Sequence, residues 1–254
     1  MQLANRTLDI LEAVLELKRD FSLIDLVNKT GLNIYAVRRF VNLFINRGYL
    51  YQERRGGNYS VGFQLLRFNE VIGSSILLKE RASPLLEKLG LEIRSTIHMA
   101  IFSQNQAVTI AVVPIKGVLF QIMPDEGSRF PLHATSLGKI FLAYLPDQQR
   151  KKIIDTLRLT AFTNNTITDM ENLLIELEEI RKIGVSFDDE EYEIGVRGAA
   201  APIRDQYSHV VAGVGFLGAT IRVSRQKMRR NARQVKDTAL QISRLLGYRG
   251  EFTN

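Results

Sequence analysis

The segment from Gly184 to Asp205 is the part of the sequence that most restricts the fold. Four consecutive carboxylates, Asp188 to Glu191, precede a Val-Arg pair between two glycines, and a nearly uncharged stretch of small residues follows. Small uncharged residues are typical of buried backbone, whereas a run of carboxylates needs solvent or partners. The segment therefore predicts an acidic turn that leads into a buried strand, with a polar site at the edge of the core.

The bulk composition is that of a globular protein with room for two domains. The chain has 254 residues, of which 45% are hydrophobic and 24% charged. It contains no cysteine, which excludes disulfides, thiolate metal sites and cysteine nucleophiles and agrees with a reducing compartment. The longest apolar stretch, Val210 to Ala219, is far shorter than the ~20 residues of a membrane helix. We therefore expect a cytoplasmic protein with no membrane partner.

The amino-terminal third predicts a helix-turn-helix. An amphipathic first helix is followed by a short helix that starts with a capping pattern at Ser22 and breaks at Gly31, and a third helix begins after Asn33. Val27, Gly31 and Val37 have the spacing at which a small apolar residue, a turn glycine and a branched residue hold two such helices together.

The third helix has an apolar face and a polar face. At 100° per residue, the apolar face collects Ile34, Val37, Val41, Phe44 and Ile45, and the polar face collects Tyr35, Arg38, Arg39, Asn42 and Asn46. The polar face has hydrogen-bonding side chains and no carboxylate, as expected of a surface that contacts base edges and phosphates. With a net charge of +7, this predicts double-stranded DNA as a partner. The expected contacts from this helix are Asn33, Tyr35, Ala36, Arg38, Arg39 and Asn42.

A basic hairpin follows the third helix. Residues 49–61 have the pattern of two short strands around Gly56 and Gly57, which tolerate a positive φ. Arg54 and Arg55 lie at the tip, where they are suited to contact phosphates or the minor groove. The hairpin therefore predicts the wing of a winged helix-turn-helix, and both arginines are expected DNA contacts.

The remainder of the chain mixes helical and strand patterns. The apolar, helical segment from Phe63 to Arg81 predicts a connecting helix, and a further helix is expected from Pro84 to Leu91. Strand patterns cover 96–102, 108–113, 118–123, 198–204 and 209–217, and helical patterns cover 136–145, 146–157, 169–183 and 224–246. Short strands with hairpin-length links and flanking helices favour an antiparallel sheet in an α+β domain.

Two long motifs resemble those of the isocitrate lyase regulator (IclR) family of bacterial repressors. They are the Gly184–Asp205 segment and, ahead of it, the segment from Pro131 to Pro146. The resemblance implies a winged helix-turn-helix at 1–62, a linker helix at 63–80 and a GAF-like effector-binding domain at 81–254. It also implies a repressor without a cofactor, which binds a palindromic operator as a homodimer or homotetramer and responds to a small organic acid.

The same resemblance implies where the effector binds. The expected effector-binding residues are Ile122, Phe130, Ser136, Leu137, Asp188, Val196, Gly198, Gly215 and Leu217. The chain departs from the family pattern at Gly198, where Cys is frequent, and at 215–217, where Ser-x-Ser is frequent. Because these changes remove thiol and hydroxyl groups, a very small polar acid would find few partners. We expect a larger acid with an apolar or aromatic body.

Two groups of charged residues are left outside the predicted sites. Asp189, Glu190 and Glu191 are expected to be solvated or paired with Arg197. The final helix begins with seven basic residues between Arg222 and Lys236, before any acid. Because they spread around the helix, a solvated or oligomer-facing helix is favoured over a second DNA contact.

Other functions stay open as alternatives. A winged-helix protein with a closed pocket would bind DNA constitutively, and a sensor module would use its helix-turn-helix for protein contacts. The three histidines, His98, His133 and His209, lack the spacing of a metal site. No Gly-x-Ser-x-Gly elbow accompanies Ser136. The sequence therefore predicts neither a metal site nor an enzyme.

Overall fold

The structure is a computed structural model of the 254-residue chain, and it describes residues 2–17, 20–52, 54, 56–65, 73–115, 117–118 and 121–250. The chain divides into two compact units, Met1–Ile76 and Leu77–Asn254. Each unit has its own hydrophobic core and is described by itself.

The N-terminal unit consists of three helices followed by a small hairpin. The helices are α1 (Gln2–Leu17), α2 (Leu23–Thr30) and α3 (Ile34–Asn46), and the strands are β1 (Leu50–Gln52) and β2 (Tyr59–Val61), with a 3-10 turn at Phe63–Leu65. Ser22 and Asp25 form a reciprocal capping box at the start of α2. Gly31 ends α2 in the left-handed conformation at φ 67°. The predicted capping and turn positions are therefore present in the structure.

The core of this unit joins the three helices to the hairpin. Its fully buried members include Ile10, Leu26, Val37 and Val41. One predicted member of the apolar face is wrong, because Ile34 is 38% exposed. Ile34 is the first residue of α3 and lies beyond the turns of the helix that pack into the core.

The connection between the units differs from the expected pair of helices. A single helix, α4 (Gly73–Ile93), continues through Pro84. Leu86 and Leu89, in the half of α4 that follows the proline, are buried in the core. The helix predicted from Phe63 is a 3-10 turn over its first three residues, and 66–72 lie outside the described residues.

The C-terminal unit is built on a six-stranded antiparallel sheet. Its strands are β3 (Thr96–Ser103), β4 (Gln106–Val113), β5 (Arg129–Phe130), β6 (Ser186–Asp189), β7 (Val196–Arg204) and β8 (Val210–Ala219), in the spatial order β5-β4-β3-β8-β7-β6. The helices are α5 (Ser136–Tyr144), α6 (Asp147–Ile154), α7 (Met170–Ile183) and α8 (Arg225–Leu245). The predicted fold class, a helix-turn-helix followed by an α+β domain with an antiparallel sheet, is confirmed.

The strand predicted over 118–123 is wrong at its described positions, 118 and 121–123. The edge of β4 is instead paired by β5, through the partners Ala107–Phe130 and Val108–Arg129. The side chain of Gln121 accepts a hydrogen bond from the backbone N–H of Ile115 at 2.7 Å. At its described positions, this segment therefore contacts the rest of the unit through side chains and not through a strand ladder.

The two faces of the sheet are covered by different helices. One face packs on α4 and α8 through residues such as Met99, Phe216 and Val235. The other face packs on α5 and α7 through Ala100, Ala200 and their neighbours. The final helix is therefore packed along one side and carries its exposed arginines on the other, so the basic residues do not spread evenly around a free helix. No helix among the described residues has the length and hydropathy to cross a membrane.

Candidate DNA-binding surface and effector pocket

The exposed face of α3 carries the predicted DNA-contacting side chains. Tyr35 is 81% exposed, and Arg38, Arg39 and Asn42 are also exposed, whereas Val37 on the opposite face is fully buried. Within the described part of the chain, neither arginine forms an ion pair. The two guanidinium groups are therefore available for phosphates or for guanine edges in the major groove.

Asn33 and Ala36 form a hydrogen bond with each other at the start of α3. The Asn33 side-chain oxygen accepts a hydrogen bond from the backbone N–H of Ala36 at 2.9 Å, as an N-cap. Its amide NH₂ group is left for a DNA contact, and Ala36, which is half-buried, offers a methyl group. The hydrogen bond between these two residues fixes the first turn of α3. The longer side chains that follow extend farther from the helix axis.

The tip of the hairpin presents Arg54. This residue is exposed, and its carbonyl accepts a hydrogen bond from the Gly57 N–H at 2.8 Å, which closes the turn. Gly56 has a φ of 85°, the conformation for which its glycine was expected. Arg55 lies outside the described residues.

A cavity of about 190 Å³ lies in the C-terminal unit where the start of α5 faces the sheet. It is lined by His98, Ile122, Met123, Pro124, Phe130, Thr135, Ser136, Leu137, Asp188, Tyr192, Glu193, Val196 and Leu217. The structure thus brings together all the predicted effector-binding residues except Gly198 and Gly215. The cavity is also lined by residues that the sequence did not single out, among them His98 and Tyr192.

Gly198 and Gly215 form part of the sheet next to the cavity. A Cβ atom on Gly198 would lie 3.1 Å from Leu217 Cδ2 and 3.5 Å from Ser136 Oγ, and one on Gly215 would lie 3.3 Å from His98 Nε2. A side chain at either position would therefore project among the lining residues. Gly198 therefore leaves room for the start of α5, and Gly215 leaves room for the His98 ring.

The start of α5 supplies hydrogen-bond donors to the cavity. Thr135 is the N-cap, and its hydroxyl accepts a hydrogen bond from the Gly138 N–H at 3.1 Å and donates one to the Pro131 carbonyl at 2.8 Å. The N–H groups of Ser136 and Leu137 lie in the first turn of α5, where no carbonyl of the helix can accept their hydrogen bonds. A helix start of this kind favours an anion.

Asp188 lies across the cavity as a buried carboxyl group, 3% exposed. It accepts a hydrogen bond from the Glu191 N–H at 2.9 Å. Burial, together with the nearby charge of Glu191, raises the pKa of Asp188 to about 7. At neutral pH a large fraction of this carboxyl group is therefore protonated, and it can donate a hydrogen bond to a carboxylate ligand.

A buried ion pair behind the cavity was missed from the sequence. Lys139 on α5 is 1% exposed, and its Nζ lies 2.7 and 2.8 Å from the two carboxylate oxygens of Glu191 and 3.2 Å from Glu176. The expectation that Glu191 is solvated or paired with Arg197 is therefore wrong. Arg197 instead pairs with Asp189 and Glu190, as expected for those two acids.

His98 was considered from the sequence only as a metal ligand. It lies on β3, and its ring lines the cavity. Burial lowers its pKa to about 4, so the imidazole is neutral at physiological pH. Neither ring nitrogen has a hydrogen-bond partner among the described residues. The same residues contain no group of three or more His, Asp or Glu side chains that could hold a metal ion.

A helix-turn-helix whose exposed arginines form no ion pair among the described residues, and an α+β unit with a cavity between a helix start and a buried carboxyl group, are typical of DNA-binding regulators with a ligand-binding domain. The comparisons identify the family. Residues 72–244 match the C-terminal domain of the bacterial transcriptional regulator IclR, and residues 4–54 match the IclR helix-turn-helix domain. The chain belongs to the IclR family and is a DNA-binding transcriptional regulator.

Individual relatives match over most of the chain. The transcriptional regulator KipR of Bacillus subtilis is 30% identical over 98% of this chain and 100% of its own length. The transcriptional repressor AllR of Escherichia coli K12 is 29% identical over 89% of this chain and 83% of its own length. An IclR homolog of Microbacterium hydrocarbonoxydans, solved in complex with 4-hydroxybenzoate, superposes with a TM-score of 0.80 at 19% identity, over 96% of this chain and 98% of that one. This last likeness is one of fold.

Proposed function

We propose that the protein is a repressor that binds a palindromic operator as a dimer and that a small organic acid in the cavity changes its affinity for the operator. The observation that supports an acid as the effector is the cavity, which has a helix start on one wall and the protonatable Asp188 on another. The domain limits that go with this function are 1–62, 63–80 and 81–254, and the proposed location is the cytoplasm. The protein would act as a dimer or a tetramer, and its function would need neither catalysis nor a cofactor.

The DNA part of the proposal rests on the exposed face of α3. Recognition helices contact base edges through long polar side chains near their N-terminal half, where Tyr35, Arg38 and Arg39 lie. Two such helices related by a twofold axis contact half-sites about one helical turn apart, ~10 base pairs. Arg54 at the tip of the wing would add a phosphate contact that does not depend on sequence.

The acid part of the proposal rests on the complementarity of the cavity. A ligand carboxylate at the start of α5 would accept hydrogen bonds from backbone N–H groups and from the Ser136 hydroxyl. A protonated Asp188 adds a further donor, and Ile122, Leu137, Val196 and Leu217 supply apolar walls for the body of the acid. The Microbacterium homolog shows that a protein of this fold can hold an aromatic acid.

Replacing Arg39 by alanine should relax the sequence preference of the protein. If Arg39 contacts a base, its loss costs about 1–3 kcal/mol on the preferred site and much less on others. DNA sites selected from a random pool by the wild-type protein and by Arg39→Ala should therefore differ at one or two positions in each half-site.

Two further variants make this result specific. Arg54→Ala should weaken binding to all sequences alike and flatten its salt dependence, because a wing contact acts through the phosphates. Arg230→Ala, on the exposed side of α8, removes the same charge and should leave both properties unchanged. If Arg39→Ala selects the same sites as the wild type, Arg39 does not contact a base.

A further inference from the structure

The cavity contains a polar group without a described partner. His98 is 4% exposed, and neither Nδ1 nor Nε2 has a hydrogen-bond partner among the residues that the structure describes. Other buried side-chain atoms in this condition include Ser95 Oγ, Thr109 Oγ1, His133 Nδ1 and Asn231 Nδ2, and none of these residues lines this cavity. A buried polar group without a hydrogen-bond partner lowers the stability of the folded protein, so we expect the imidazole to bind a group inside the cavity.

The sheet places His98 far from Asp188. Asp188 on β6 is paired with Gly198 on β7, Gly198 with Leu217 on β8, and His98 on β3 with Gly215 on β8. Strands in a sheet are about 4.8 Å apart, so two strands and roughly 14 Å of sheet separate the backbones of β6 and β3. Along the sheet, Gly198, Gly215 and Leu217 lie between them and offer no side-chain hydrogen bond. The sheet wall of the cavity therefore carries a polar group at each of two ends, Asp188 and His98, with an apolar stretch between them.

The chemistry of the two ends differs. The end near Asp188 and the start of α5 suits a carboxylate, whereas a neutral imidazole offers one N–H donor and one acceptor nitrogen. A second carboxylate at His98 would be buried without a counter-charge. A hydroxyl group can donate to one imidazole nitrogen or accept from the other, so it fits either tautomer of His98.

We propose that His98 determines the specificity of the cavity by hydrogen bonding a hydroxyl group, so that the effector is a hydroxy-substituted carboxylic acid whose two polar groups are separated by an apolar body. This inference rests on the proposed function, because it assumes that an organic acid occupies the cavity.

The test compares acids that differ only by a hydroxyl in place of a methyl group. The probes are 4-hydroxybenzoate with 4-methylbenzoate, and 6-hydroxyhexanoate with heptanoate, titrated by calorimetry into the full chain. The wild type should bind the hydroxy acid of at least one pair about 10- to 100-fold more tightly, because the methyl analogue leaves the imidazole unpaired. In His98→Leu this preference should vanish, and in His98→Asn, which keeps a donor and an acceptor, part of it should return.

The unliganded variants provide a control for folding. His98→Leu should unfold at a urea concentration no lower than the wild type, because leucine replaces a buried polar ring that has no described partner. A large loss of stability would show that the imidazole already has a partner in the protein, and it would overturn the inference.

The remaining outcomes separate the inference from the proposed function. If acids bind but the hydroxyl makes no difference, or if the preference survives in His98→Leu, His98 does not recognise a hydroxyl and the acid effector still stands. If no acid of either pair binds, the inference is overturned together with the acid effector. Operator recognition by α3 is measured independently with Arg39→Ala.

Discussion

Replacement of Lys139 by methionine should lower the free energy of unfolding by about 3–5 kcal/mol. The Lys139 side chain is 1% exposed and that of Glu191 is 10% exposed, so methionine would leave a carboxylate buried without its cation. Lys139 also contacts Glu176, and its loss would bring the two carboxylates together without a positive charge between them. Urea unfolding followed by circular dichroism measures the effect, since the chain has no tryptophan.

Two controls isolate the buried pair. Lys79→Met breaks the ion pair with Glu126 on the surface, where the side chains are 42% and 50% exposed, and should cost no more than about 1 kcal/mol. The double variant Lys139→Met/Glu191→Gln removes both charges and should recover much of the loss. If Lys139→Met is as stable as Lys79→Met, the prediction that the buried ion pair stabilises the fold is wrong.

Replacement of Asp188 by asparagine should change how stability depends on pH. The folded-state pKa of Asp188 is about 7, against an unfolded value near 4, because the carboxyl group is buried. Between these two values the native state keeps a proton that the unfolded state has lost, so the stability of the wild type falls as pH rises. Three pKa units correspond to on the order of 4 kcal/mol. Asp188→Asn has no proton to lose and should lack this fall.

The comparison of the two proteins at each pH removes other titrations. His98 changes the pH dependence of stability in the opposite direction. Its pKa in the folded state is lowered to about 4, so its contribution to stability is lost as pH falls below its unfolded pKa. This contribution is present in both proteins and cancels in their difference. Asp155→Asn, at an exposed position, should follow the wild type. Parallel stability curves for the wild type and Asp188→Asn from pH 4 to pH 8 would show that Asp188 ionises normally.

The features that were predicted correctly depend on residues close together in the chain. The capping box at Ser22, the left-handed glycines that end α2 and α7, and the two faces of α3 follow from helical periodicity and local hydrogen bonding. The small residues of β7 likewise indicated a buried strand, and the structure buries Ala199, Ala200 and Ala201 completely. In each case a few neighbouring residues determine the conformation.

The features that were missed depend on contacts between distant segments. Lys139 and Glu191 are 52 positions apart, and only the packing of α5 against the end of β6 brings them together. In the sequence, Lys139 is one charged residue in an apolar helix and Glu191 is one of four carboxylates. The place of His98 in the cavity was not predicted, because it follows from the sheet order, which places β8 rather than β4 between β3 and β7. No local pattern carries that order.

Linkage between operator and effector is the central claim, and one measurement tests it directly. A DNA site selected by the wild-type protein from a random pool is titrated with protein, with and without a saturating amount of the acid that binds most tightly in the hydroxy-acid series. We expect the acid to change the dissociation constant for this site about 5- to 150-fold and the site to change the affinity for the acid by the same factor. An acid that binds the protein and leaves its affinity for the selected site unchanged would contradict the account.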